Sequence, residues 1–557
     1  MRPWAQKSKA GWGEAATPNR PPRARAVVGD PTVVGYDDRR TLSDSAWDEY
    51  AALSPDDRGQ GPVSDRQWLA EADWSAEFPV GLGEQPAGTR EAEWVSLRRL
   101  AGAHRTGLTA WGWRHKGWTE RDIRDAAKHR IVTLWRAGRS LWASSYKARY
   151  GVEPTPLMRL DRTAALRGER RNMRRCVRQA EEAAALLAGH VGSRGHQARY
   201  ASRCSRSHRA DQLEQHDRYL SESLVIDTTT GEAIPLAKVH RQPRQLRAEL
   251  YIVTRGMIAY EIAQDRWPYF ITLTLPATWH PAPKFGRAKW DGSLPVAGQR
   301  ELRRRWALGR ARAKKAGIDL VGGRFVEPHS DGCVHWHLIA FLRDDDVQRV
   351  IDMLTAVFGD LGPAVRIERA RSAEGAAKYC MAYAAKTAAC GDGKIGQHIT
   401  GDDLAGVDAW RSTWGIRGWQ LFGTKGRLGV WRELRRKLPE DAPAEIRELA
   451  RHARAGDYAA FHGAAEENGA RIWSEDAERE YPDPDPRRHA AAEAHDQRAV
   501  IVVRRRRICG VRLERRGVCV ATRQPGRWVL IRAEDSAAAS AAALGCIVRK
   551  CNRRFRR

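Results

Sequence analysis

Residues 325–341 read FVEPHSDGCVHWHLIAF, two runs rich in β-branched and aromatic residues parted by Pro-His-Ser-Asp-Gly. Asp-Gly enters a tight turn at little steric cost, and the flanking runs have the composition of strands, so the chain is expected to double back here as an antiparallel pair. An all-parallel sheet is thereby excluded for this part of the chain. WPYFITLTLP at 267–276 is a further strand ending at a proline, DDVQRVIDMLTAVFGD an amphipathic helix and AVRIER a short strand. Strands and helices alternate through about 262 to 400, which predicts an α/β or α+β module, and the hairpin makes its sheet at least partly antiparallel and favours α+β.

Residues two apart on a strand share a face, so His335 and His337 project together, with Ile339, Phe341 and, by parity, Cys333 expected in the same row. Two imidazoles in a mostly apolar row need a partner. One divalent ion held by both neutral rings supplies it; a hydrogen-bonded core pair is the bland alternative. If the hairpin turns about Asp331, Glu327 falls opposite His335, and its carboxylate completes two nitrogens and one oxygen. His329 has the same parity but sits nearer the turn, and is the alternative third ligand. Three protein ligands leave positions open for a substrate phosphate, an arrangement that suits catalysis more than scaffolding.

The alanine-rich AAKYCMAYAAK places Tyr379 and Tyr383 four apart, on one side of a helix slim enough to approach a sheet closely. A phenol titrates near 10 and is a poor nucleophile without help. The metal and Lys386, three residues beyond Tyr383, are the available help for a developing phenolate or a phosphate oxygen. This chemistry requires the helix to pack over the histidine face. Otherwise the tyrosine pair is core packing.

A formal charge of +28, from 96 Lys and Arg against 68 Asp and Glu, points to a polyanionic partner, nucleic acid before an anionic membrane surface. No apolar run approaches the roughly 18 residues of a membrane span, and the N-terminal segment lacks the apolar stretch of a secretory signal. Nine cysteines without a CxxC pair fit a reducing cytoplasm and argue against a zinc ribbon. The 557 residues exceed one core and divide by composition. Residues 1–90 read as a largely disordered arm, 91–260 as a helical, basic DNA-binding region, and 261–435 as the histidine and tyrosine module with a downstream extension. Residues 436–490 read as a helical linker region, and 491–557 as a small basic β-rich unit. In that unit Arg504, Arg505, Arg506 and Arg507 are either a phosphate-binding patch or a charged hairpin edge.

FITLTLP, EPHSDGCVHWHLIAF and KYCMAYAAK, in that order, with WGIRGWQLFG and VWRELRR downstream, resemble the HUH endonuclease superfamily. The resemblance is to its gene A type replication initiators from tailed double-stranded DNA phages and prophages, and it covers roughly 160 to 435. It implies a central antiparallel sheet with flanking helices, His335 and His337 as metal ligands with Glu327 as the acidic third, and Mg²⁺ or Mn²⁺ as cofactor. It further implies that Tyr379 and Tyr383 alternate as nucleophiles on single-stranded or locally unwound origin DNA. Each cut would leave a 5′-phosphotyrosine and a 3′-OH for the host polymerase, and the ends would later be rejoined. The chain has no GxxxxGKS or GxxxxGKT motor motif, so a host helicase is the implied partner, and the bacterial host cytoplasm the implied location. Cys333 departs from the small or Pro residue usual beside the turn. The rivals are an HUH relaxase or transposase with the same ligands, and a non-catalytic DNA-binding protein that holds a structural metal.

Overall fold

The computed structural model describes residues 111–532 except 113–114, 136–137, 151, 228, 284–288, 360–364, 388–400, 483–499 and 524–527. The arm expected over 1–90 and the end of the C-terminal unit lie outside the described residues.

Among the described residues four longer helices come first: α1 (Glu120–Arg130), α2 (Arg139–Tyr150), α3 (Arg162–Leu187) and α4 (Arg203–Ser221). Strands β1 (Ser223–Asp227) and β2 (Ala233–Pro235) and helix α5 (Pro243–Ala263) lead to β3 (Trp267–Thr274). Then follow α6 (Pro295–Lys315), β4 (Val321–Pro328), β5 (Val334–Leu342), α7 (Val347–Phe358), β6 (Val365–Arg369), α8 (Ala373–Thr387), α9 (Gly401–Trp414) and β7 (Trp419–Phe422). Helices α10 (Arg427–Leu434), α11 (Ala444–Ala455) and α12 (Tyr458–Glu467) precede β8 (Ala470–Pro482), β9 (Val500–Leu513), β10 (Val518–Ala521) and β11 (Trp528–Arg532).

The central sheet has five strands in the order β6-β3-β5-β4-β7, and every neighbouring pair is antiparallel. The class is therefore α+β. Alternation along the strands divides the sheet's side chains between two cores. On one face Ile271, Leu273, Trp336, Leu338 and Ala340 pack with α3, α6, α7 and α9 through Ala183, Trp306, Leu354 and Trp410. On the other, Phe325, Ile339 and Phe341 pack with α5 through Val253 and Ile258, with α8 through Ala376, Ala377 and Cys380, and with α10 through Trp431. Each fully buried large apolar side chain contributes roughly 1.5–3 kcal/mol, so both layers hold the sheet firmly.

Within the helical region, the helix that follows Thr119 does not run on unbroken. Ile131–Trp135 forms a π-turn in which the Thr133 hydroxyl donates to the His129 carbonyl at 2.9 Å, and α2 starts only beyond Gly138. β-Branched residues and a hydroxyl that competes for a backbone carbonyl weaken the regular helix at this point. The arginine-rich half of α3 is not simply a solvated or phosphate-tracking face: Arg174 and Arg178 each reach Glu120 of α1 at 2.7 Å.

Residues 436–490, expected as a linker, instead contribute buried Ile446, Leu449, Tyr458 and Phe461 to the same core as the sheet, and then the long strand β8. Its acidic sequence is extended because the arginine run lies across from it. Arg507 pairs in register with Glu475, Arg506 with Asp476, Arg505 with Ala477 and Arg504 with Glu478. The C-terminal strands also do not form the self-contained unit suggested by composition, since β9 and β10 continue the sheet begun by β8, and β11 pairs with β1.

Candidate active site

The hairpin turns as expected, and two flanking elements pin it. Gly332, at φ +83°, sits where a left-handed backbone is required. Its N–H donates to the His329 carbonyl at 2.9 Å, and His329 N–H to the Cys333 carbonyl at 2.7 Å. From outside, Tyr200 N–H donates to the Ser330 carbonyl at 2.8 Å, and the buried Trp410 indole to the Gly332 carbonyl at 2.8 Å. Asp331, also buried, takes the Cys333 amide at 3.1 Å and faces His280 Nδ1 at 3.0 Å.

This turn fixes the register. Glu327 lies directly across from His335, and Phe325 from His337. On the other side Thr274 is the partner of His335, and Thr272 of His337. Thr274 Oγ1 lies 3.1 Å from His335 Nδ1, and Thr272 Oγ1 lies 3.4 Å from His337 Nδ1. The two imidazoles are 4.4 Å apart between ring centres. Glu327 is buried and both histidines are partly so. His329 is close as well, its Nε2 3.0 Å from His335 Nδ1 and its ring 4.9 Å from that of His280. Burial, reinforced by His280 and opposed by Asp331, pushes His329 down to about 4.

Cys333 does not continue this row. It precedes β5, within the turn, and packs in the opposite core with Val334 and Trp336, where burial pushes its thiol well up.

Helix α8 packs on the histidine side of the sheet. Ala376, Ala377 and Cys380 share a core with Phe325 and Ile339, and the Tyr379 ring lies 3.9 Å, centre to centre, from Phe270. Phe270 is the register partner of Ile339 and stands in the same β3 row as Thr272 and Thr274. Tyr379 is half-buried. Tyr383 and Lys386 fall within α8, but their side chains lie outside the described residues.

Glu327, His335 and His337 fit a divalent cation by donor chemistry: two imidazoles and a carboxylate on adjacent strands, with a threonine hydroxyl near each Nδ1. Among the described residues, however, three His, Cys, Asp or Glu donor atoms lying within 4.8 Å of one another occur at Glu181, Cys204 and His208, on other elements.

The sequence reading missed Thr272, Thr274, Tyr200 and His280. The threonines were legible as alternate residues of FITLTLP once β3 and β5 are neighbours. Tyr200 and His280 carried no local signal. Tyr200 adopts φ +71°, and its hydroxyl accepts from Arg199 at 2.9 Å. Burial and the nearby carboxylates of Asp403 and Glu327 raise its phenol, with Arg199 opposing. Tyr200 therefore stands in the field of the Glu327 carboxylate.

Residues 154–392 match the family described as bacteriophage replication gene A protein (GPA), a span that includes the turn, both histidines, Glu327 and both tyrosines of α8. Over these residues the chain is similar to the gene A protein family. The chain is 32% identical over 244 residues to a replication protein of Haemophilus phage HP1, covering 40% of this chain and 31% of that protein. It is 31% identical over 308 residues to the replication gene A protein of Escherichia phage P2, covering 49% and 39%. Another relative, at 29% over 212 residues, is a probable replication endonuclease from a prophage-like region of Escherichia coli O6:H1, covering 35% of this chain and 26% of that protein. The chain thus spans well under half the length of these relatives. No solved structure matches it. Arg504–Arg507 lie beyond the gene A segment; Arg506 and Arg507 are exposed, with Arg506 donating to Ser474 Oγ at 2.7 Å, and the side chains of Arg504 and Arg505 lie outside the described residues.

Proposed function

We propose that this chain is a site-specific DNA endonuclease of the HUH type that initiates replication of a phage or prophage by tyrosine transesterification. The observation that carries this reading is the packing of α8 on the sheet face that bears Glu327, His335 and His337. A tyrosine helix on the opposite face would leave phenol and ligands on different sides of the sheet.

His335, His337 and Glu327 would hold Mg²⁺ or Mn²⁺, with His329 as the alternative to Glu327; when bound, the ion polarises the scissile phosphate. The phenol of Tyr379 or Tyr383 attacks phosphorus in line, the O3′–P bond breaks as the tyrosyl O–P bond forms, and the proton lost by the phenol to solvent is balanced by one taken up from solvent at the leaving O3′. Lys386 steadies the developing phenolate. The product is a 5′-phosphotyrosine and a free 3′-OH, which primes the host polymerase. The other tyrosine then cuts the regenerated origin, and the released 3′-OH rejoins the ends. One phosphodiester is exchanged for another, so no nucleotide is consumed. Single-stranded or locally unwound origin DNA is the substrate and a host helicase the partner, acting in the cytoplasm of the bacterial host. The high positive charge supports the polyanion, and among the described residues no helix is long and apolar enough to cross a membrane.

The test is incubation of the protein and its Tyr379→Phe/Tyr383→Phe variant with end-labelled single-stranded origin DNA, with and without Mg²⁺, resolved on a denaturing protein gel. A metal- and phenol-dependent adduct that retains the DNA 3′ of the nick is expected. Tight binding without any adduct would instead favour a non-catalytic DNA-binding protein with a structural metal.

A further inference from the structure

Cys204 and His208 stand four apart on α4, so both leave the same side of the helix. Helix α3 presents Glu181 to them. His208 Nδ1 lies 3.3 Å from Glu181 Oε2. Cys204 Sγ lies 3.8 and 3.9 Å from the two ring nitrogens of His208. One donor atom from each of the three residues falls within 4.8 Å of the others.

The two oxygens of Glu181 are used differently. Oε1 accepts the Gly117 amide at 2.9 Å, which aims the carboxylate. Oε2 is buried and accepts no hydrogen bond. A Cys–His contact alone would not explain why the carboxylate closes on the same pair. Tetrahedral bonds of about 2.0–2.3 Å put neighbouring ligand atoms roughly 3.3–3.6 Å apart, and the His208–Glu181 and Cys204–His208 separations lie at or just beyond that range.

We propose that Glu181, Cys204 and His208 form a second, transition-metal site. The thiol and imidazole select Zn²⁺ over the hard Mg²⁺ and Mn²⁺. On binding, the Cys204 thiol releases its proton to solvent as the sulfur–metal bond forms. Three protein ligands leave one position for water, and the exposure of Cys204 gives the ion access. The site lies in the layer that packs on the sheet face opposite the histidines, because α3 contributes Ala180, Ala183 and Leu186 to that core. It shares no ligand with the candidate active site. The ion would tie α3 to α4 and, through Gly117, to the segment entering α1. Tyr200, which holds the hairpin turn, lies just before α4, so the cross-link steadies that anchor as well.

The experiment is titration of the metal-stripped full-length protein with Co²⁺, read by absorption. One equivalent should give a thiolate-to-metal charge-transfer band and the visible bands of a tetrahedral ion, both removed by added Zn²⁺. Cys204→Ser should abolish the charge-transfer band, and His208→Ala should weaken binding at least tenfold. The His335→Ala/His337→Ala variant should retain the bands. Absence of a thiolate band, or a band that survives in Cys204→Ser, overturns the proposal. Should Cys204→Ser fail to fold, judged by far-ultraviolet circular dichroism, Glu181→Gln is the second variant: unchanged Co²⁺ affinity in it and in His208→Ala also overturns the site.

Discussion

Glu327 and His335 are direct cross-strand partners on the adjoining strands β4 and β5 of a fully antiparallel sheet. The pairing brings a carboxylate to an imidazole on the face that α8 covers, with Thr274 behind the histidine. Glu327→Gln keeps the shape but replaces one carboxylate oxygen with an amide donor and removes the negative charge. Nicking at limiting Mg²⁺ should fall by at least about tenfold, the scale on which even supporting groups of metal sites act, and should recover in part at high Mg²⁺. His329→Ala should cost less. A larger loss in His329→Ala, measured by initial nicking rates over a Mg²⁺ series, would transfer the third-ligand role to His329.

Tyr379 packs against Phe270 as well as standing in the candidate site. Tyr379→Phe removes only the hydroxyl and leaves the ring contact, so stability should shift by less than about 1 kcal/mol. If the tyrosines alternate, this variant should complete one cleavage but fail in the paired cleavage and rejoining cycle. The Tyr379→Phe/Tyr383→Phe variant should form no adduct while binding origin DNA with unchanged affinity. Adduct in the double variant would refute the nucleophile assignment.

The hairpin turn depends on two anchors distant in sequence. Trp410→Phe deletes the indole donor and leaves the Gly332 carbonyl without that bond in a buried setting, which should cost about 1–3 kcal/mol in denaturant unfolding. Gly332→Ala forces a side chain into φ +83° and should cost about 1 kcal/mol. Both should slow nicking by more than their loss of folded protein accounts for, because the register of Glu327 and His335 hangs on this turn. Normal nicking per folded molecule would show the sheet alone holds the site.

The hairpin, its register and the α+β class were legible because each follows from local chemistry: an Asp-Gly turn, alternating strands and a Pro stop. Asp331 as pivot and Glu327 opposite His335 were derivable from counting alone. The packing of α8 over the histidines was set as a requirement but could not be read, since alanines fit either face of a sheet. Cys333 was misplaced because strand parity was extended into a turn, where it does not hold. The arginine run was read without its partner, as Glu475, Asp476 and Glu478 come from a segment whose acidity suggested helix and loop. Tyr200 and Glu181 owe their positions to contacts between separate elements, which no local pattern encodes.

Those acidic partners change what the arginine run should do. Cross-strand opposite charges stabilise a sheet by roughly 0.2–1 kcal/mol per pair, and they offset the charge offered to a phosphate. Arg506→Gln/Arg507→Gln should therefore lower thermal stability slightly and alter the salt slope of DNA binding by less than the one unit per residue of true phosphate contacts. A slope shallower by about two units, measured by DNA-binding titrations between 50 and 200 mM salt, would restore the phosphate-binding role.

The largest loss of stability is expected among helices α1 to α3. Arg130 and Glu169, 2% and 0% exposed, form an ion pair at 3.2 Å between α1 and α3. Glu169 also accepts the Trp142 indole at 2.8 Å and the Tyr150 hydroxyl, and Arg130 donates to Ser145 Oγ at 3.0 Å. Burial and the Glu169 charge hold the Tyr150 phenol well above its usual range, so it remains a neutral donor to that carboxylate. Removing one member of such a pair leaves a buried charge uncompensated, a loss of about 3–5 kcal/mol. Arg130→Met should lose that much, whereas Arg130→Met/Glu169→Gln should regain part of it because the orphaned charge is gone. These residues serve a core of Trp111, Ile123, Trp142 and Tyr146 that is separate from both faces of the central sheet. Nicking per folded molecule should accordingly be unchanged in the double variant, and a loss of activity at full folding would mean that the helical layer takes part in positioning DNA.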